Sequence, residues 1–136
     1  MSEESTDLVE LVQQIIAVTN ARDFDALISF YAPGAVLDAE GIGIHEGRPA
    51  IRGLYEDWWG SYEDHQQEAE EIGDLGNGVI IVVVLMRARL PDTTGTLQNR
   101  YAAVATWANG LIEKQTNYQD IDEARAAAEH LAESRR

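Results

Sequence analysis

The stripe Leu8, Leu11, Val12, Ile15, Ile16 and Thr19 has the spacing of one helix face. Arg22-Asp23 interrupts it, and Asp23 is placed to cap a second helix. Phe24, Leu27, Ile28 and Tyr31 form that second stripe, which Pro33-Gly34 ends. Ala35 to Ala39 reads as a short strand. A connection rich in glycine (Gly41, Gly43, Gly47) leads to Pro49, which suits the first turn of a third helix. The face of that helix is Ile51, Leu54, Tyr55, Trp58 and Tyr62, with Trp59 off the stripe.

From His65 the period shortens. His65 to Leu75 predicts an acidic strand whose Glu68, Glu70, Glu71 and Asp74 deter edge-to-edge association. Gly76-Asn77-Gly78 is a hairpin turn, Val79 to Arg89 a long strand, and Pro91 to Gly95 a loop. Leu97 to Ala108 and Leu111 to Gln119 pair across Asn109-Gly110. Asp120, with Glu123 three residues on, caps a final helix, Ile121 to Glu133, whose alanines suggest loose packing.

No alternation of strand and helix supports a parallel doubly wound fold. The expected class is α+β: a curved antiparallel half-barrel, cone-shaped, with helices covering its concave side over an apolar pocket. One domain spans residues 1–136, with a core near 8–120 and a terminal helix at 121–136.

The central strand adds an expectation about assembly. A sheet with one wet face alternates apolar and polar residues, yet Val79 to Leu85 does not. The helices cover one face. A second copy of the chain could cover the other, giving a homodimer through the sheet face. The alternative is a central strand more apolar than it needs to be.

Composition narrows the partners. The chain has 136 residues, 24 of them acidic and 10 basic, for a formal charge of -14. Such a field repels nucleic acid and anionic membranes, and no basic cluster offsets it. With no cysteine, disulfides and thiolate chemistry are excluded. The acidic start MSEESTDLVE is not a signal peptide, and Val79 to Met86 is far short of the roughly 20 residues of a membrane helix. A cytoplasmic protein is the expectation.

The stretches NARDFDALISFYAPGAVLDAEG, HEGRPAIRGLYEDWW and RYAAVATWANGLIEKQTNYQD resemble the SnoaL-like group. That group belongs to the superfamily of nuclear transport factor 2-like and ketosteroid isomerase-like domains. The resemblance runs from about Leu8 to Ala128. It implies the half-barrel fold, while the group's functions range from isomerases and polyketide cyclases to non-catalytic binding domains. In the isomerases a Tyr on the first helix and an acid on a late strand form an oxyanion hole. An Asp ending the first strand is the base. Matching the stretches puts Ile15 in the place of the Tyr, Ala39 in that of the base, and Ala102 or Ala103 in that of the acid. Tyr31 and Tyr55 match supporting tyrosines.

Several side chains remain as candidates. Asp38, beside the empty base position, could act as a base at a pocket mouth, although a solvent-facing strand residue is the simpler reading. His45 could be a general acid or base, or a surface histidine. His65 and His130 share no ligand spacing with it, so no metal site is expected. The three glycines lack the spacing and setting of a phosphate loop. Trp58 reads first as core and second as a stacking wall for a ligand. Arg100 could bind a carboxylate or carbonyl on the concave face; pairing of Arg87, Arg89 and Arg100 with Glu68 or Glu70 is preferred. By the family match Gln115, Asn117 and Gln119 face inward, where amides orient polar groups.

Two functions survive. One is binding of a small, largely apolar molecule by Ile15, Tyr31, Tyr55, Trp58, Arg100, Gln115 and Asn117. The other is a cofactor-independent acid/base enzyme of the cyclase, isomerase or hydratase type, using Asp38 or His45.

Overall fold

Helix α1 (Leu8–Asn20) begins where the Asp7 carboxylate accepts a hydrogen bond from the Glu10 N–H. A computed structural model describes residues 7–62, 64–89 and 95–135. The N-terminal segment 1–6 and most of the expected loop, residues 91–94, lie outside the described residues. Asp23 caps α2 (Phe24–Ile28) and Asp120 caps α4 (Ile121–Ser134), each by accepting from a backbone N–H three residues on.

Between them run β1 (Tyr31–Ala39), β2 (Gly43–Glu46), α3 (Arg48–Gly60), β3 (Gln66–Gly76), β4 (Val79–Arg89), β5 (Thr96–Ala108) and β6 (Leu111–Tyr118). The six strands form one curved, unclosed sheet in the order β2-β1-β6-β5-β4-β3. Neighbours are antiparallel except β1 and β6, which run parallel.

Three local readings change. Helix α2 stops at Ile28, so Tyr31 opens β1 instead of closing the helix. Pro33-Gly34 falls inside β1, where the register with β6 shifts between Tyr31 and Val36. A proline has no N–H for a ladder and is tolerated at such an irregularity. The glycine-rich connection contains an edge strand, β2, flanked by Gly41 and Gly47 at positive φ. At the β3–β4 turn, Gly78 has φ +78° and a Cβ there would stand 2.6 Å from the Trp107 carbonyl oxygen.

The unbroken apolar run of β4 is explained within the single chain. Ile80, Val82, Val84, Met86 and Ala88 face the concave core with α1 and α3. Val79 and Ile81 face the other way, packing with Ala102 and Val104 against Ala124, Ala128 and Ala132 of α4. The alanines expected to pack loosely are what allow close approach: Ala124 and Ala128 are fully buried. Of the surface assigned above to a second copy, α4 covers the part formed by Val79 and Ile81. The far end of α4 is fastened to the β3–β4 turn. Asn77 Nδ2 donates to the Ala132 carbonyl at 2.7 Å, and Arg135 Nε donates to the Asn77 carbonyl at 2.8 Å.

Candidate functional site

Residues 12, 15, 16 and 19 of α1 lie on one face, and that face roofs a cavity of about 60 Å³. The floor is the concave sheet: Ile80, Val82 and Val84 of β4, Ala103, Ala105 and Trp107 of β5, and Ile112 of β6. The period of two puts these residues on one side of the sheet. Polar groups enter from Tyr31, Tyr55, Gln67, Tyr101 and Gln115. The Thr19 hydroxyl is turned to the Ile15 carbonyl at 2.6 Å.

The polar groups form two assemblies. In the first, Tyr31 Oη donates to Gln115 Oε1 at 2.7 Å and lies 3.1 Å from Tyr55 Oη. Since the amide oxygen can only accept, the Tyr31 proton is engaged there, and Tyr55 is the donor to Tyr31. Gln115 Nε2 then donates to Asn117 Oδ1 at 2.9 Å. In the second, Gln67 Nε2 donates to Tyr101 Oη at 2.7 Å.

Burial raises the pKa of all three phenols. Tyr31 is pushed well up by burial and by its neighbours Tyr55 and Tyr101. Tyr101 is raised by burial and by Tyr55, with the Gln67 hydrogen bond pulling the other way. The phenols are therefore neutral hydrogen-bonding groups and not bases near neutral pH. Among the described residues that line this cavity there is no carboxylate, histidine, lysine or arginine.

A second chamber of about 40 Å³ adjoins the first and shares Tyr101 with it. Its other walls are Ala39, Glu40, Ile42, Trp58, Asn99, Asn117 and Gln119. Glu40 is exposed, and its Oε1 accepts from the Gln119 N–H at 2.6 Å.

The residues that the resemblance matched to isomerase positions lie as follows. Ile15 and Ala103 line the larger cavity and Ala39 the smaller. Ala102 faces α4 instead, which resolves the choice between the two alanines. Tyr31, Tyr55 and Gln115 meet Ile15 in the larger cavity, whereas Trp58 and Asn117 border the smaller.

The remaining candidates lie elsewhere. Asp38 is on the convex side, beside Thr116, Tyr118 and Glu123. It pairs in register with Ile44 and Thr116, one residue out of phase with the inward Leu37 and Ala39. His45 sits on β2 opposite Leu37 and borders an outer groove against Ala50, Leu54 and Asp57 of α3. Arg100 also points outward and forms a two-pronged pair with Glu70, at 2.5 and 3.0 Å. Arg87 pairs with Glu68 at 3.3 Å. Arg100 is therefore engaged by a strand acid on the outer side and does not line the concave cavity.

On α3 the expected order of the tryptophans is reversed. Trp59 is fully buried and Trp58 half-buried. Trp59 meets His65 edge-on, with ring centroids 3.8 Å apart, while Tyr62 stacks on the same imidazole at 5.5 Å. His65 is 1% exposed, and among the described residues neither ring nitrogen has a hydrogen-bond partner. Burial, reinforced by the Arg22 charge, lowers its pKa to about 4.

Gln67, Tyr101 and Trp107 are among the cavity residues that the sequence did not single out. Their signal was alternation, since each lies one residue from an outward Glu68, Arg100 or Thr106. Among the described residues, no group of three His, Cys, Asp or Glu is placed to hold a metal ion. No helix among them is long and apolar enough to cross a membrane.

The family model described as the SnoaL-like domain matches residues 12–115. The chain belongs to the SnoaL-like family. Solved structures show the same fold at low identity. A ketosteroid isomerase-like protein from Catenulispora acidiphila, in complex with trimethylamine, has a TM-score of 0.74 at 14% identity, over 88% of this chain and 92% of that one. A proposed SnoaL-like polyketide cyclase from Jannaschia sp. CCS1 gives 0.72 at 14%, over 89% and 90%. A proposed polyketide cyclase from Sinorhizobium meliloti gives 0.66 at 23%, over 79% and 93%. No functionally curated protein matches the chain in sequence.

Proposed function

We propose that this SnoaL-like domain binds a small, uncharged, largely apolar molecule in its concave cavity and lacks isomerase chemistry. The observation that carries the reading is the cavity's inventory. By the family resemblance Ile15, Ala39 and Ala103 match the isomerase donor, base and acid, and every polar group among the described residues lining the larger cavity is neutral. An ion entering it would lose hydration with no opposite charge to receive it. A compact molecule with one or two polar atoms would find apolar walls and phenol or amide partners.

The test is an amide NMR titration with a set of small cyclic hydrocarbons, ketones and alcohols. Shifts should centre on Val12, Ile15, Val82 and Ala105, and the mutation Ala105→Trp should abolish them. Absence of any shift at these residues across the set would sink the reading.

Glu40 supports a second reading, an acid/base enzyme acting at the smaller chamber. Its signature would be exchange of ketone α-protons with solvent deuterium, lost in Glu40→Gln. No exchange above the buffer rate by the wild-type protein would remove it.

A further inference from the structure

Three phenols reach the larger cavity, and they differ in where their protons go. The Tyr31 proton is engaged by Gln115 Oε1, and the Tyr55 proton by Tyr31. Tyr101 is different. Its oxygen accepts from Gln67 Nε2 at 2.7 Å, so that bond leaves its own hydrogen available. Among the described residues, no hydrogen bond from Tyr101 Oη to an acceptor accompanies it. Accepting from an amide N–H polarises the phenol and makes its O–H a better donor. Tyr101 is also the described residue that lines both chambers.

From this we infer that Tyr101 is the anchoring donor of the site, and that the ligand is a neutral molecule carrying a hydrogen-bond acceptor of the carbonyl type. The inference rests on the binding reading above and gives it a chemical class. The ligand's apolar body fills the larger cavity and its oxygen sits at the junction with the smaller one. Gln67 is a positioning residue, holding the phenol oxygen so that the O–H is directed at the ligand. The chain from Tyr55 through Tyr31 to Gln115 engages both of those phenol protons within the wall and ends on Asn117 Oδ1.

Cyclobutanone and methylenecyclobutane make a matched pair of probes, alike in shape but with an acceptor on the ketone alone. Titrations followed by amide NMR should show wild type preferring the ketone by roughly two- to ten-fold, the effect of one neutral hydrogen bond. Tyr101→Phe should erase that preference while the alkene binds as before, which also shows that the variant is folded. A measurement on the unmutated protein stands beside it. With ¹³Cζ-labelled tyrosine, the Tyr101 signal should move with the ketone and stay still with the alkene. Ketone preference retained in Tyr101→Phe, or an unmoved Tyr101 signal under bound ketone, would overturn the assignment. Failure of the underlying binding reading looks different: neither probe would shift the cavity amides of wild type, and the anchor would fall with it.

Discussion

The two faces of the sheet are built from the same strands and solve opposite problems. On the concave face, Val82, Val84, Ala103 and Ala105 surround a space whose polar groups are phenols and amides. On the convex face, Glu68, Glu70 and Glu71 meet Arg87, Arg100 and Arg125 in ion pairs of 2.5 to 3.3 Å. Their alternation is visible within single strands: Tyr101 turns in, and Arg100 beside it turns out. Charge is thus sorted by side, and groups that look catalytic in the sequence, Asp38 and Arg100, belong to the outer set. What the comparison teaches is that residue type points to chemistry only after the face is known.

The comparison breaks most severely if the outer cover is removed. A chain ending at Asp120 should bare Val79, Ile81, Ala102 and Val104. It should lose its cooperative thermal transition or associate, as read by calorimetry and light scattering. A monomer melting like the full chain would refute the role given to α4.

Next in size is a charge on the wrong face. Ala103→Asp should cost about 2–4 kcal/mol at pH 7, because a buried carboxylate there has no cationic partner. Burial would raise its folded pKa above the unfolded value. The loss should therefore shrink as pH falls toward 4, which denaturant titrations at several pH values would show.

His65 gives the opposite slope. Its pKa is lowered to about 4 in the fold, against 6.5 in an ordinary setting. Between those values the unfolded chain holds more protons, so stability falls as pH drops from about 6.5 to about 4. The loss should reach at most about 3 kcal/mol. His65→Leu should flatten that part of the profile, and an unchanged slope in the variant would assign it to other groups. The smallest effect belongs to the outer pairs. Arg100→Ala should barely move the melting temperature, with the difference shrinking further in high salt.

Much of the fold was legible because periodicity survives without context. The α1 stripe, the acidic β3, the two Gly-containing hairpins and the caps at Asp23 and Asp120 all appear where the pattern put them. Less legible were places where tertiary contacts override local signals. Tyr31 looked helical because it continues a stripe, yet Phe30 and Ile112 join the chain there to the sheet. The glycines around β2 hid a strand, and the alanines of α4 hid a tight interface. In the site, Ile15, Tyr31, Tyr55 and Gln115 followed from the family match. Tyr101 and Gln67 required only the counting of alternate residues from Arg100 and Glu68, but no motif drew attention to them. Trp58 and Trp59 are adjacent, so a small rotation of α3 exchanges their roles, and helical spacing alone does not resolve it.

The fastening of α4 to the β3–β4 turn bears on the order of events in folding. Its two hydrogen bonds join residues 55 and 58 positions apart, and the helix has no surface to rest on until β4 and β5 have paired. Contacts of such long range carry a loop-closure cost that is recovered only once the surface exists. The terminal helix is thus the last piece to arrive and the first to leave. Hydrogen exchange should find its amides opening while those of β4 stay closed. A helix that opens first exposes Val79, Ile81, Ala102 and Val104 before the rest of the sheet gives way.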